Sequence, residues 1–115
     1  MEKVAIFAFV GEVPCFAHAL LNGLEMRKRG WEVKLVIEGA ATRLIKELNE
    51  PDKPFAPLYA KAREAGFIDC VCRACAKVMG ALEAAEAQGL PLCDEMNGHP
   101  AMGRYVEAGY RIITM

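Results

Sequence analysis

Between Asp69 and Gly80 the chain reads DCVCRACAKVMG, which places Cys70, Cys72 and Cys75 within six residues. Thiols at this spacing suit four roles: a metal cluster, a redox dithiol, a single reactive thiol with bystanders, or small apolar groups filling a core. Cys72-Arg-Ala-Cys75 has the C-x-x-C spacing of dithiols set at a helix start. Cys15 and Cys93 bring the total to five cysteines, an odd number. In a reducing compartment these are expected to be free thiols, metal ligands or catalytic groups, and not structural bridges.

Cys72 lies where an apolar strand pattern gives way to a helical one. A thiol there faces the positive end of the helix dipole and its unpaired N–H groups, which lower its pKa. Arg73 and Lys77 add positive charge, so Cys72 is the candidate nucleophile, with Arg73 stabilising the anion. The bland alternative is a buried, inert cysteine. Cys70, two residues earlier on the same strand face, reads as core, and a Cys70–Cys72 bridge is disfavoured because the two side chains project in parallel. Cys75 shares a helical stripe with Val78, Met79 and Leu82, so it reads either as core or as the partner thiol of Cys72. Cys93 reads as packing.

Other polar residues fall at the same carboxyl edge of the predicted strands, where open α/β sheets bind their ligands. Glu12 and Glu38 follow strands one and two. Cys15 starts the first helix and would face Cys72 if strands one and three were neighbours. The loop CDEMNGHP contributes Asp94, Glu95, Asn97 and His99, either to that pocket or simply to a turn. Cys15-x-x-His18 beside the cysteine cluster admits a metal or iron–sulfur module built on Cys70, Cys72 and Cys75, with Cys15 or His18 completing the shell. Against it, no second C-x-x-C stands at finger spacing, and His18 reads as a packed helix residue. G-x-G-x-x-G, the P-loop and G-x-S-x-G are all missing, so nucleotide binding is not supported.

The elements that must position these groups follow from periodicity. Strands are predicted over Lys3–Val10, Trp31–Glu38, Phe67–Cys72, Leu90–Cys93 and Tyr110–Met115. Between them run CFAHALLNGLEMRKRG, with Phe16, Leu20, Leu21 and Leu24 on one face and Gly30 as the stop; GAATRLIKELNE, ended by Pro51; PLYAKAREAG, opened by Pro57 and closed by Gly66; one helix striped by Ala74, Val78, Ala81, Leu82 and Ala85 and ended at Gly89; and a short helix over His99–Ala108. Alternating strands and helices predict an α/β fold with a mostly parallel sheet.

With 115 residues, 54% apolar, 25% charged and a net charge of −1, the chain is expected to form one globular domain over 1–115. It has no basic excess for a nucleic-acid backbone, and VAIFAFV is too short to span a bilayer and lacks the flanks of a signal peptide. The expectation is a cytoplasmic protein. Its high apolar content suggests surface buried between subunits.

Taken together, the segments KVAIFAFV, WEVKLVIEGAA, AREAGFIDCVCRAC and EAGYRIITM resemble, over nearly the whole chain, the DsrE/DsrF-like proteins of bacterial and archaeal sulfur relay, including the TusD type. VCRACAKVMG is similar to the family's strand–Cys–helix element, in which one cysteine carries sulfur as a persulfide. By position that residue is Cys72. The resemblance implies a three-layer α/β/α fold with a five-stranded parallel sheet, trimers or hexamers, and transfer of sulfur between donor and acceptor proteins with no organic cofactor. Cys70 and Cys75 depart from the pattern by flanking the carrier position. The resulting expectation is a sulfurtransferase-like carrier in which Cys75 could resolve the persulfide, releasing sulfide. The remaining alternatives are the metal module and a non-catalytic subunit of an oligomer.

Overall fold

The computed structural model describes residues 2–115. Five strands form one parallel sheet in the order β4-β3-β2-β1-β5. They are β1 Lys3–Ala8, β2 Glu32–Ile37, β3 Ile68–Cys72, β4 Leu92–Cys93 and β5 Arg111–Thr114. β1 and the end of β2 are apolar on consecutive residues because both faces are covered, which is the expected signature of a parallel strand. The fold class read from the sequence is therefore borne out.

The two faces are covered unequally. One packs Ile6, Leu35, Ile37 and Val71 against α1 (Val13–Lys28), α2 (Leu44–Glu47), α3 (Ala56–Ala65), α4 (Arg73–Val78) and α5 (Leu82–Ala87), through residues such as Phe16, Leu20, Ile45, Tyr59 and Ala76. The other packs Ala5, Phe7, Val36, Cys70 and Cys93 against Tyr105 of α6 (Met102–Glu107) and Tyr110. The Tyr105 ring meets Phe7 edge-on, with centroids 5.3 Å apart, and its hydroxyl donates to Asp69 Oδ2 at 2.5 Å. No helix is long and apolar enough to cross a membrane among the described residues.

Several sequence expectations are corrected. The helix predicted through Ala81 to Gly89 is two helices. α4 ends in a Schellman turn at Gly80, whose φ is +72°: Ala81 N–H donates to the Ala76 carbonyl at 2.7 Å and Gly80 N–H to the Lys77 carbonyl at 3.3 Å. Val78 is consequently 81% exposed and Met79 40%, so the stripe they share with Cys75 is not core. The last helix begins at Met102 rather than His99, and Leu21 lies exposed on α1.

Candidate functional site

β3 delivers Cys72 to the carboxyl edge of the sheet, where its extended backbone caps α4. Its Sγ accepts the Cys75 N–H at 3.4 Å, the one side-chain cap of that helix. The side chain is fully buried. Burial pushes the thiol up to about 12, against the Cys75 N–H, which favours the thiolate; the Cys75 thiol and the Glu38 charge push the same way as burial. The expected lowering of the Cys72 pKa is therefore reversed. Arg73 does not face the sulfur in an ion pair; its Nε lies 3.5 Å from Asp94 Oδ2 on the surface.

The imidazole of His99 stands over both thiols, with Nδ1 at 3.1 Å from Cys72 Sγ and 3.7 Å from Cys75 Sγ. Its position comes from a two-residue hairpin. Met96 N–H donates to the His99 carbonyl at 2.9 Å, and His99 N–H returns a bond to the Met96 carbonyl at 3.0 Å. Asn97 and Gly98 between them have φ of 50° and 89°, the pair of positive values a type I′ turn needs, and Asn-Gly is the dipeptide that most readily supplies them. The Gly98 carbonyl accepts the Ala74 N–H at 2.9 Å, fastening the turn to the start of α4. Glu95 steadies the loop by accepting the Ala101 N–H at 2.8 Å, a bond that holds its carboxyl below the usual range. The Asn97-Gly98 dipeptide is the sequence signal that would have singled out His99 from its neighbours.

Glu38, buried just past β2, lies outside this three-residue cluster but near enough for its charge to act on Cys72. Burial raises its carboxyl pKa, and the imidazole of His99, when protonated, opposes that rise. A cavity of about 210 Å³ opens beside these residues, lined by Gly39, Ala74, Cys75, Val78, Met79 and His99. The half-buried Cys75 reaches it; Cys72 lies behind. A larger hollow of about 430 Å³ between Arg63, Ile68, Gln88 and Pro91 contains no thiol or imidazole.

The structure thus brings together Cys72, Cys75 and His99, with Glu38 near enough for its charge to act on Cys72. It separates Cys15 and Glu12 from them, because β2 lies between β1 and β3. Cys15 is a half-buried free thiol near the start of α1, and Glu12 is an exposed residue preceding that helix. Asn97 is exposed and shapes the turn. His18 is exposed, not packed. Cys70 and Cys93, expected to be unbridged core residues, form a disulfide between β3 and β4 with Cα atoms 5.8 Å apart. That bridge removes Cys70 from any metal-ligand set, and His99 stands where Cys70 was expected.

The sequence profile of the DsrE/DsrF-like family matches residues 16–115. The chain belongs to the DsrE/DsrF-like family. An uncharacterised protein of Methanocaldococcus jannaschii is 32% identical over 103 residues, covering 90% of this chain and 82% of that one. An uncharacterised protein of Archaeoglobus fulgidus is 49% identical over 41 residues, 36% of this chain and 67% of that one. A solved structure of a protein of unknown function from Bacteroides thetaiotaomicron has the same fold, with a TM-score of 0.73 at 16% identity, covering 99% of this chain and 95% of that one. The five-stranded α/β architecture is thus shared with that solved structure.

Proposed function

We propose that this protein is a sulfur-relay carrier that holds sulfane sulfur as a persulfide on Cys72, with Cys75 as the thiol a donor meets first. The observation that carries this reading is the placement of two thiols around one imidazole, with the half-buried one on a cavity and the fully buried one behind it. Membership of a sulfur-relay family supports it.

The chemistry is thiol exchange without net oxidation. Cys75 gives up its proton to His99, and its sulfur attacks the outer sulfur of a donor persulfide. The donor's S–S bond breaks, and the donor leaves as a thiolate that takes a proton from the imidazolium. The Cys72 sulfur then attacks the outer sulfur of Cys75–S–SH. Its proton passes through His99 to the departing Cys75 thiolate, leaving Cys72–S–SH. The acceptor's thiolate later takes the outer sulfur and Cys72 is reprotonated. Placing the store behind Cys75 keeps the persulfide away from water. The exposed Val78 and Met79 at the cavity rim suit docking of donor and acceptor proteins.

The test is the intact mass of the reduced-site protein after incubation with a small-molecule persulfide. The wild type should gain one sulfur, and Cys75→Ser should load far more slowly. His99→Ala should slow loading by about a hundredfold, as loss of a general base does. Cys72→Ser should take up sulfur but lose it quickly to a soluble thiol. Uptake and retention unaffected by all three substitutions would place the chemistry elsewhere and refute the reading.

A further inference from the structure

The same three side chains satisfy a second chemistry that does not depend on sulfur relay. Cys72 Sγ, Cys75 Sγ and His99 Nδ1 all lie within 4.8 Å of one another. A tetrahedral zinc ion, with Zn–S about 2.3 Å and Zn–N about 2.0–2.1 Å, requires S···N separations of about 3.6 Å. The two observed separations, 3.1 and 3.7 Å, bracket that value. We propose that Cys72, Cys75 and His99 form a binding site for one thiophilic divalent cation of the zinc type, with a fourth coordination position open to the cavity.

The donors are held in place before any ion arrives. Cys72 is fixed by the end of β3, Cys75 by the first turn of α4 and His99 by the Asn97-Gly98 hairpin fastened to Ala74. Two thiolates and an imidazole are a donor set for zinc and softer ions rather than magnesium or calcium. Binding releases the two thiol protons to solvent, and the two thiolates cancel the ion's double charge. The loaded site is neutral, which suits its half-buried, largely apolar surroundings. Among the described residues no fourth donor joins the cluster. Cys70 is bridged to Cys93, Asp94 pairs with Arg73 and Glu95 with Arg104. The fourth position is therefore left for water or an incoming thiolate or hydrosulfide, the arrangement of reactive rather than structural zinc sites. Ion and persulfide use the same sulfur lone pairs, so each excludes the other.

Titration of the metal-free protein, Cys70–Cys93 bridge intact, with Co(II) and then Zn(II) tests this. One equivalent of Co(II) should produce the intense visible bands of a tetrahedral ion and a thiolate-to-cobalt charge-transfer band, and one equivalent of Zn(II) should abolish both. Cys75→Ser and His99→Ala should each lose the bands while unfolding at temperatures close to the wild type, whereas Cys15→Ser and His18→Ala should keep them. Zinc-loaded protein should no longer gain sulfur from the persulfide donor. Absence of tetrahedral bands in the wild type, or their survival in both Cys75→Ser and His99→Ala, would overturn the inference. Sulfur uptake by metal-free protein is scored separately, so failure of the metal site and failure of the relay are distinguishable.

Discussion

At Cys72 two effects compete. The start of α4 and the Cys75 N–H favour a thiolate, but a helix end contributes only about 0.3–1 kcal/mol, and α4 is six residues long. Removing a thiolate from water costs more, and burial wins. Sequence reasoning located the residue but could not see how deeply the strand end is covered. It also singled out Glu38 and His99 without showing that His99 meets the two thiols. Glu38 now gives a prediction. Its raised pKa means the protonated carboxyl fits the fold better than the carboxylate, so its contribution to stability is fully present below the unfolded carboxyl's pKa and is lost as pH rises through the folded one. Glu38→Gln should therefore stabilise the protein at neutral pH and flatten the pH dependence of urea unfolding above the carboxylate range. An unchanged slope would mean that the carboxyl is solvated.

Among the elements, the strands were readable because continuous apolar runs and Gly or Pro stops coincide with the sheet. The break at Gly80 was missed because a helical stripe continues across it in sequence, while the glycine's positive φ reverses the chain. The neighbourhood of Cys15 is left open by the sequence because strand order is not encoded locally: β2 separates β1 from β3. The Cys70–Cys93 pairing was hidden for the same reason, since it required knowing that β4 lies beside β3. The loop carrying His99 is the element on which the site depends most. A Cβ at Gly98 would sit 3.0 Å from the Ala74 Cβ, at a φ of +89° that L side chains rarely adopt. Gly98→Ala should cost about 1–2 kcal/mol and slow persulfide loading, with the helices intact by circular dichroism. Normal loading would show that the turn does not place His99. The bridge closes a separation of 23 residues. Cys70→Ala with Cys93→Ala should lower unfolding stability by about 3 kcal/mol in urea. No loss would mean that the pairing does not support the edge strand.

For the whole molecule, the lopsided layering is the feature with consequences. Five helices cover one face of the sheet and the short α6 serves the other. Val78, Met79, Met96, Met102 and Val106 remain exposed. High apolar content was the sequence's hint of association, although it could not say which surface is involved. Light scattering should give a mass that is a multiple of 12.6 kDa, with Val106→Glu shifting it toward that of the monomer. A monomeric wild type would leave these side chains to transient partners.

The central claim is that sulfur is carried and handed on. It is tested most directly by loading the protein with heavy-isotope sulfane sulfur, adding an acceptor thiol and following the label by mass spectrometry. The account predicts that one equivalent of label leaves the protein and appears as acceptor persulfide, with Cys72 and Cys75 both returning as free thiols. Label released as sulfide, with a Cys72–Cys75 disulfide left behind, would contradict it.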